Sequence, residues 1–373
     1  MKRSVIALAV AGAVAMPAAA IADATTLYGR MNVSLDAVDN GEDSSGQLAS
    51  NSSRLGVRGS EDLGIAGLRG VFQIEAGLYS DNQTFGNSDL TARNTFLGLA
   101  GDFGELRLGK HDTPYKMATL PLNFFADTLG DINHVTSRMG GTAGPIDPTF
   151  YRRLDNTVVF MSPDFNGMKV MASYTTDRGD DRPSATNRTF DGIAQSDVDA
   201  NDQSAGSVAA TFSEGPMYVA VAYERLNRAS FDPANGGTIE DAEAWKVGGT
   251  YKIQDLTLAA MYENIDSGTS TFGDRDAFHL GAKYQLGQAY LMGSYTAAGD
   301  NDADDTAAQM FALGAGYDFS RRTGMYATYA TVRNDDAADY GFVGSGKGKG
   351  VGLPEGTVGE DVSGFQVGVT HNF

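Results

Sequence analysis

The 373-residue chain carries 28 Lys and Arg against 47 Asp and Glu, a formal net charge of −19, and no cysteine. That acidic surplus argues against a nucleic-acid partner, because phosphate binding calls for clustered Lys and Arg. The lack of cysteine excludes disulfides and thiolate-ligated metals.

The first predicted element is a leader. Lys2 and Arg3 precede an apolar stretch from Val5 to Ala15, and Ala20-Ile21-Ala22 supplies the small-x-small site that signal peptidase needs. Residues 1–22 are therefore read as a signal peptide and residues 23–373 as one domain, with a second possible cleavage after Ala24. The apolar stretch is short, broken by Pro17 and without a stop-transfer flank, which argues against a retained helix. Cleavage leaves 28 − 2 = 26 basic residues against 47 acidic ones, or −21.

Beyond the leader, no stretch approaches the roughly 20 apolar residues of a spanning helix. What recurs is alternation. From Leu68 to Ala76 the even positions are apolar or small, while Arg69, Gln73 and Glu75 take the other face of a strand. The same period returns in Trp245 to Ile253 and in Phe278 to Tyr284. Tight turns are predicted at Asp62-Leu63-Gly64, Asp102-Phe103-Gly104, Pro163 to Gly167, Ser213 to Pro216, Gln254-Asp255, Leu286-Gly287 and Phe319 to Arg322. Long polar connections lie between them, near 39–52, 80–91, 112–150, 177–204, 227–241, 266–276, 298–306 and 334–361.

Seven short and eight long connections join sixteen strands. Unpaired backbone groups in hydrocarbon cost several kcal/mol each, so a sheet in lipid must close on itself. The expected fold is all-β: a closed antiparallel sixteen-stranded transmembrane barrel with short periplasmic turns and long external loops. The 47 glycines, 16 tyrosines and 19 phenylalanines suit close-packed strands and interfacial girdles. A soluble sandwich would give the same alternation, but not the regular rhythm of short and long connections.

Several segments carry a resemblance. Thr26-Leu27-Tyr28-Gly29-Arg30 resembles the first strand of Gram-negative general porins of the trimeric, sixteen-stranded type. Gly104 to Lys110 followed by Asp112-Thr113-Pro114-Tyr115 is similar to their fifth strand entering the third external loop, and Arg153 to Gly167 to their sixth strand and turn. Phe365 to Phe373 looks like their terminal strand, with Phe373 as the signal read by the barrel-assembly machinery. Phe365, Val367, Val369, His371 and Phe373 share one face by parity, a lipid-side stripe. The likeness covers the whole mature chain and implies a third loop folded into the lumen and a homotrimer.

Parity also assigns the lumen wall. Leu55 and Val57 face lipid, so Arg54 and Arg58 face inward; Arg69 and Arg107 follow by the same rule, and Arg153 by the resemblance. These residues form a basic ladder on strands two, three, five and six. The third loop, about His111 to Phe150, carries Asp127, Asp131 and Asp147, and its Leu120, Leu122, Phe124, Phe125, Leu129 and Ile132 argue against disorder. Asp127 and Asp131 are expected to face Arg54, Arg58, Arg107 and Arg153 across a constriction. The plainer reading keeps the arginines as polar lining and the aspartates as pins holding the loop to the wall. Lys169, Lys246, Lys252, His279 and Lys283 are expected to line the rest of the lumen.

The four histidines show no metal-ligand spacing and no Gly-x-Ser-x-Gly elbow is present, so no enzyme, metal or cofactor is expected. The expected function, implied by the resemblance, is a Gram-negative outer-membrane channel for passive diffusion of ions and small hydrophilic solutes. Outer-membrane lipid and lipopolysaccharide are its expected surroundings. One alternative is a solute-selective channel with a track of Tyr79, Arg107, Tyr218 and Tyr290. The other is a surface receptor or adhesin using the acidic external loops. Residues 177–204 hold seven Asp against three Arg, and residues 298–306 hold four Asp and no base. Mouth and lumen charges therefore oppose one another, and weak cation preference at low salt is expected to decline or reverse as salt screens the mouth.

Overall fold

The computed structural model describes residues 25–78, 93–140, 150–178, 189–190, 193–194, 204–227, 230–232, 237–268, 273–342 and 357–373. The predicted signal peptide, Tyr79 and Asp147 lie outside the described residues.

Sixteen staves form one closed antiparallel sheet. The first is β1 (Thr26–Asp39); the second is split into β2 (Ser44–Ser50) and β3 (Arg54–Ile65); β4 (Leu68–Gly77), β5 (Thr95–Gly101), β6 (Gly104–Asp112), β7 (Arg153–Met161) and β8 (Met168–Thr175) follow. The remaining staves are β11 (Ala205–Glu214), β12 (Met217–Leu226), β15 (Ala242–Ile253), β16 (Leu256–Asp266), β17 (Asp274–Leu286), β18 (Ala289–Ala298), β19 (Ala308–Asp318), β20 (Thr323–Asn334) and β21 (Val362–Asn372). Two short ladders, β9 (Thr189–Phe190) with β10 (Ile193–Ala194) and β13 (Ser230–Asp232) with β14 (Gly237–Ile239), stand apart in the external loops. Every stave pairs with its sequence neighbour, and β21 closes on β1 from Arg30↔Asn372 to Asp39↔Ser363. Gly29 and Phe373 exchange both backbone hydrogen bonds at 3.0 Å, so pairing runs to the last residue. No described helix is long and apolar enough to cross a membrane.

Two boundaries differ from the sequence reading. The expected first loop at 39–52 is mostly strand, because Ser44 to Ser50 pair with the upper half of β1. Only Asn51 to Ser53 interrupt the stave, at a kink with Ser52 at φ 52°. Its exposed backbone groups are satisfied: Asn51 N–H donates to the Asn32 carbonyl at 2.8 Å, and the Asn32 N–H donates to Ser53 Oγ at 2.9 Å. The first short turn is not Asp62-Leu63-Gly64 but the step between Ile65 and Leu68, because a register shift after Asp62 extends β3.

Alternation sorts the two faces. Leu35, Leu97 and Leu313 are each about two-thirds exposed on the outside (66%, 67% and 67%), an apolar surface suited to contact with lipid or another barrel. Two aromatic levels bound this band. Trp245, Tyr262 and Phe278 sit on adjacent staves with ring centroids 5.0 Å apart at each step. Tyr251 and Tyr284 lie near the opposite, short-turn end. On β15, Trp245 and Tyr251 are six residues apart, about 20 Å along the strand, and share its outward face.

Candidate functional site

The site is built by the third loop, L3, between β6 and β7. Thr113 accepts the Lys116 N–H and caps a short helix, α1 (Pro114–Thr119), whose Pro114 occupies the first turn where no backbone donor is needed. Two single-turn 3-10 segments follow, Leu120–Leu122 and Ile132–His134.

L3 lies inside the barrel because one wall is made to receive it. Several inward positions on that wall are glycine. A Cβ at Gly248 would collide with Leu122 Cδ2, and one at Gly314 would stand 2.8 Å from Phe125 Cε1, so glycine is what lets the loop approach the sheet. Phe124 and Leu129 lie over Gly281 and Gly364 in the same way. Polar tethers fix the register: Tyr218 Oη donates to the Ala118 carbonyl at 2.5 Å, and the Leu129 N–H donates to Gln366 Oε1 at 3.2 Å.

Beneath the loop is a buried ionic knot. Glu263 accepts hydrogen bonds from Tyr115 Oη at 2.5 Å and from the Ser137 N–H at 3.0 Å. Lys246 Nζ lies 3.8 Å and Arg275 Nη2 3.7 Å from its carboxylate, and Arg275 Nη1 donates to the Val135 carbonyl. Such a buried group costs several kcal/mol of desolvation per ion and holds only while every partner is in place.

The opposite wall is different. One cavity of about 700 Å³ is bordered by Arg30, Arg54, Arg58, Arg93, Lys116 and Arg153, and by Glu75, Asp112, Asp127 and Asp131. Six basic and four acidic side chains leave an excess of two positive charges, and the balance stays positive even with the terminal carboxylate of Phe373, which also borders the cavity. The acids are already engaged. Arg30 pairs with Asp127 at 3.0 Å, Arg93 with Glu75 at 2.6 Å, and both Arg153 and Lys116 with Asp112, at 3.0 and 2.9 Å. Arg54 approaches Glu75 only to 4.0 Å, and Arg58 makes no ion pair among the described residues, stacking instead 4.8 Å above the Tyr28 ring.

Several expected site residues therefore meet here and others do not. Arg54, Arg58, Arg153 and Asp127 share the cavity. Asp131 borders it but does not oppose the arginines, which corrects the expected pairing: its carboxylate accepts from Asn123 Nδ2, the backbone and side chain of Asn133, and the Asp127 N–H. It pins the turn of L3, and burial, with the nearby Asp127 charge adding to it, pushes its pKa up to about 6. Arg107 stays outside the group, held by Glu105 at 2.8 Å and lying 4.4 Å over Phe96. Arg69 sits opposite Asp62, near the turn that follows β3.

Lys246 and His279 face inward but do not line open lumen, because L3 covers that wall. Both are buried, His279 with Nδ1 2.9 Å from Thr296 Oγ1. Lys169 is exposed beside Asp164 at a short turn, Lys252 lies next to one, and Lys283 stacks 4.3 Å over Tyr290. The expected solute track is interrupted too, since Tyr218 is a loop tether. Arg30, Arg93, Lys116 and Glu75 are members that the sequence reading missed. For Arg30 a signal existed, because Tyr28, Arg30, Asn32, Ser34 and Asp36 alternate with Leu27, Val33 and Leu35.

A closed sixteen-stave barrel with an apolar outside and a charged lumen narrowed by a tethered loop is a transmembrane pore. The chain matches the family model described as Gram-negative porin over residues 7–337, and it belongs to that family. Outer membrane porin protein 32 of Delftia acidovorans is 28% identical over 381 residues, spanning all of both chains. An outer membrane porin protein of Bordetella pertussis is 27% identical over 336 residues, with 81% of each chain covered. Among solved structures, an anion-selective porin from Comamonas acidovorans superposes with a TM-score of 0.75 at 23% identity, covering 94% of this chain and all of that one. The trimer form of OmpT from Vibrio cholerae gives 0.63 at 17% identity, with 94% and 100% covered. The chain is thus a multi-pass outer-membrane protein that forms a channel for passive diffusion of solutes.

Proposed function

We propose that the cavity between L3 and the β1–β7 wall is the constriction of this channel and that it favours anions. The observation that carries this reading is the positive balance around the cavity, with Arg54 and Arg58 the least neutralised members. A narrow, low-dielectric passage focuses its own field more strongly than an open vestibule does. The acidic external loops act in the other sense, at distances that salt screens. Net preference therefore moves toward anions as ionic strength rises. The structural neighbour from Comamonas acidovorans is an anion-selective porin, which supports the same sign. Reversal potentials in a series of KCl gradients test it: a preference that moves toward potassium with rising salt contradicts it.

The working unit is proposed to be a homotrimer. Its support is the resemblance in sequence and the existence of a trimer form in one structural neighbour. Native electrophoresis before and after heating decides this, and a single monomer-sized species in both lanes overturns it. The leader at 1–22 is proposed to export the chain, and Phe373 to present it to the barrel-assembly machinery; truncating Phe373 should leave folded protein reduced in the outer membrane.

A further inference from the structure

The constriction has a second character that charge does not explain. In L3, Leu122, Phe125, Leu129 and Ile132 are buried against the wall, whereas Leu120 remains 44% exposed and borders the cavity. Ala126 and Tyr151 border it as well, and Tyr151 is held at φ 71°. A non-glycine residue in that region persists only where its surroundings enforce it. The Tyr151 ring carries Lys116 Nζ 4.6 Å from its centroid. Across the same cavity stand Arg58, free of any carboxylate partner among the described residues, and Arg54, whose Glu75 contact is 4.0 Å.

We infer that the constriction selects organic monocarboxylates with a hydrocarbon or aromatic body over inorganic anions and short carboxylates. The carboxylate is taken by Arg58, and the body rests on the lip formed by Leu120 and Ala126. Arginine suits this role because its planar fork bonds both oxygens of a carboxylate. The apolar lip supplies affinity that a small inorganic anion cannot use, in proportion to the area it covers. A polyanion gains less, since Glu75, Asp112 and Asp127 already neutralise much of the basic wall. This inference rests on the channel reading above.

The test uses the full-length protein in planar bilayers bathed in KCl, with sodium acetate, butyrate, hexanoate or benzoate added, and benzamide as a neutral ring. Each added methylene should lower the concentration that half-blocks the chloride current, and benzoate should block at a concentration about fivefold or more below that of acetate. Benzamide should block weakly. Leu120→Ser should bring benzoate close to acetate, Arg58→Ser should weaken both, and Tyr329→Phe on the outer wall should alter neither. An alkanoate series with no chain-length dependence in the wild type overturns the inference whatever the variants do. Benzamide blocking as strongly as benzoate overturns it too. Loss of KCl current altogether would instead remove the channel reading, so the two failures are distinct.

Discussion

The two walls of the lumen carry charge in opposite ways. Under L3, Glu263, Lys246 and Arg275 are fully buried, with buried Glu224 acting on Lys246 to balance the second cation, and the loop covers them. On the β1–β7 side, the charged side chains border an open cavity with an excess of base, and Arg54 and Arg58 are the least compensated. The first arrangement fixes a loop and contributes nothing to permeation directly. The second leaves charge available to a passing ion. Inward-facing charge is therefore not one category, and whether a solute meets it depends on which wall the loop covers.

The largest effect expected from breaking this contrast is at Glu263. Glu263→Gln leaves Lys246 and Arg275 buried without their carboxylate, a loss of about 3–5 kcal/mol, and should free L3 from the wall. Urea unfolding and open-channel noise read the two consequences, and unchanged noise would show that the knot is not what holds the loop. A smaller cost is expected from Gly248→Val, about 1–3 kcal/mol, because a Cβ there meets both Leu122 of the loop and the Ala260 carbonyl of the neighbouring stave, so loop and sheet must both give. Conductance should rise or become variable in that variant, while an outward substitution of similar size on β15 should leave it alone.

The smallest effect is a proton. Burial raises the Asp131 pKa to about 6, so the fold favours its neutral form. That contribution to loop stability is fully present below the usual carboxylate range near about 4, and is lost as pH rises through about 6. On acidification the cavity also gains one positive charge. Reversal potentials should move toward anions as pH falls through this window, and Asp131→Asn should remove the step.

Much of the barrel was legible because a period of two is a local property. Parity put Arg54, Arg58 and Lys246 on the inner face, and the alternation of short and long connections gave the stave count. The first loop was misplaced because Ser44 to Ser50 are small and polar, and their strand character comes from pairing with β1 rather than from their own propensity. The site was legible only in part, for a related reason. Parity cannot distinguish Lys246 from Arg58, since what separates them is the path of L3, set by contacts across more than a hundred residues such as Leu122 on Gly248 and Tyr115 on Glu263. Arg93 and Lys116 lie outside any long alternating run, in connecting segments whose direction only the folded loop determines.

The central claim is that the positive balance of the open wall, carried by its least compensated arginines Arg54 and Arg58, sets selectivity. Reversal potential at high salt, in wild type and in an Arg54→Ser, Arg58→Ser double variant, tests it most directly, with an Arg107→Ser, Glu105→Ser pair, which removes a compensated ion pair outside the cavity, as the comparison. The account predicts anion preference in the wild type, lost or inverted in the arginine double variant and retained in the compensated-pair variant. Equal selectivity in the wild type and the arginine double variant, or a loss confined to the compensated-pair variant, would contradict it.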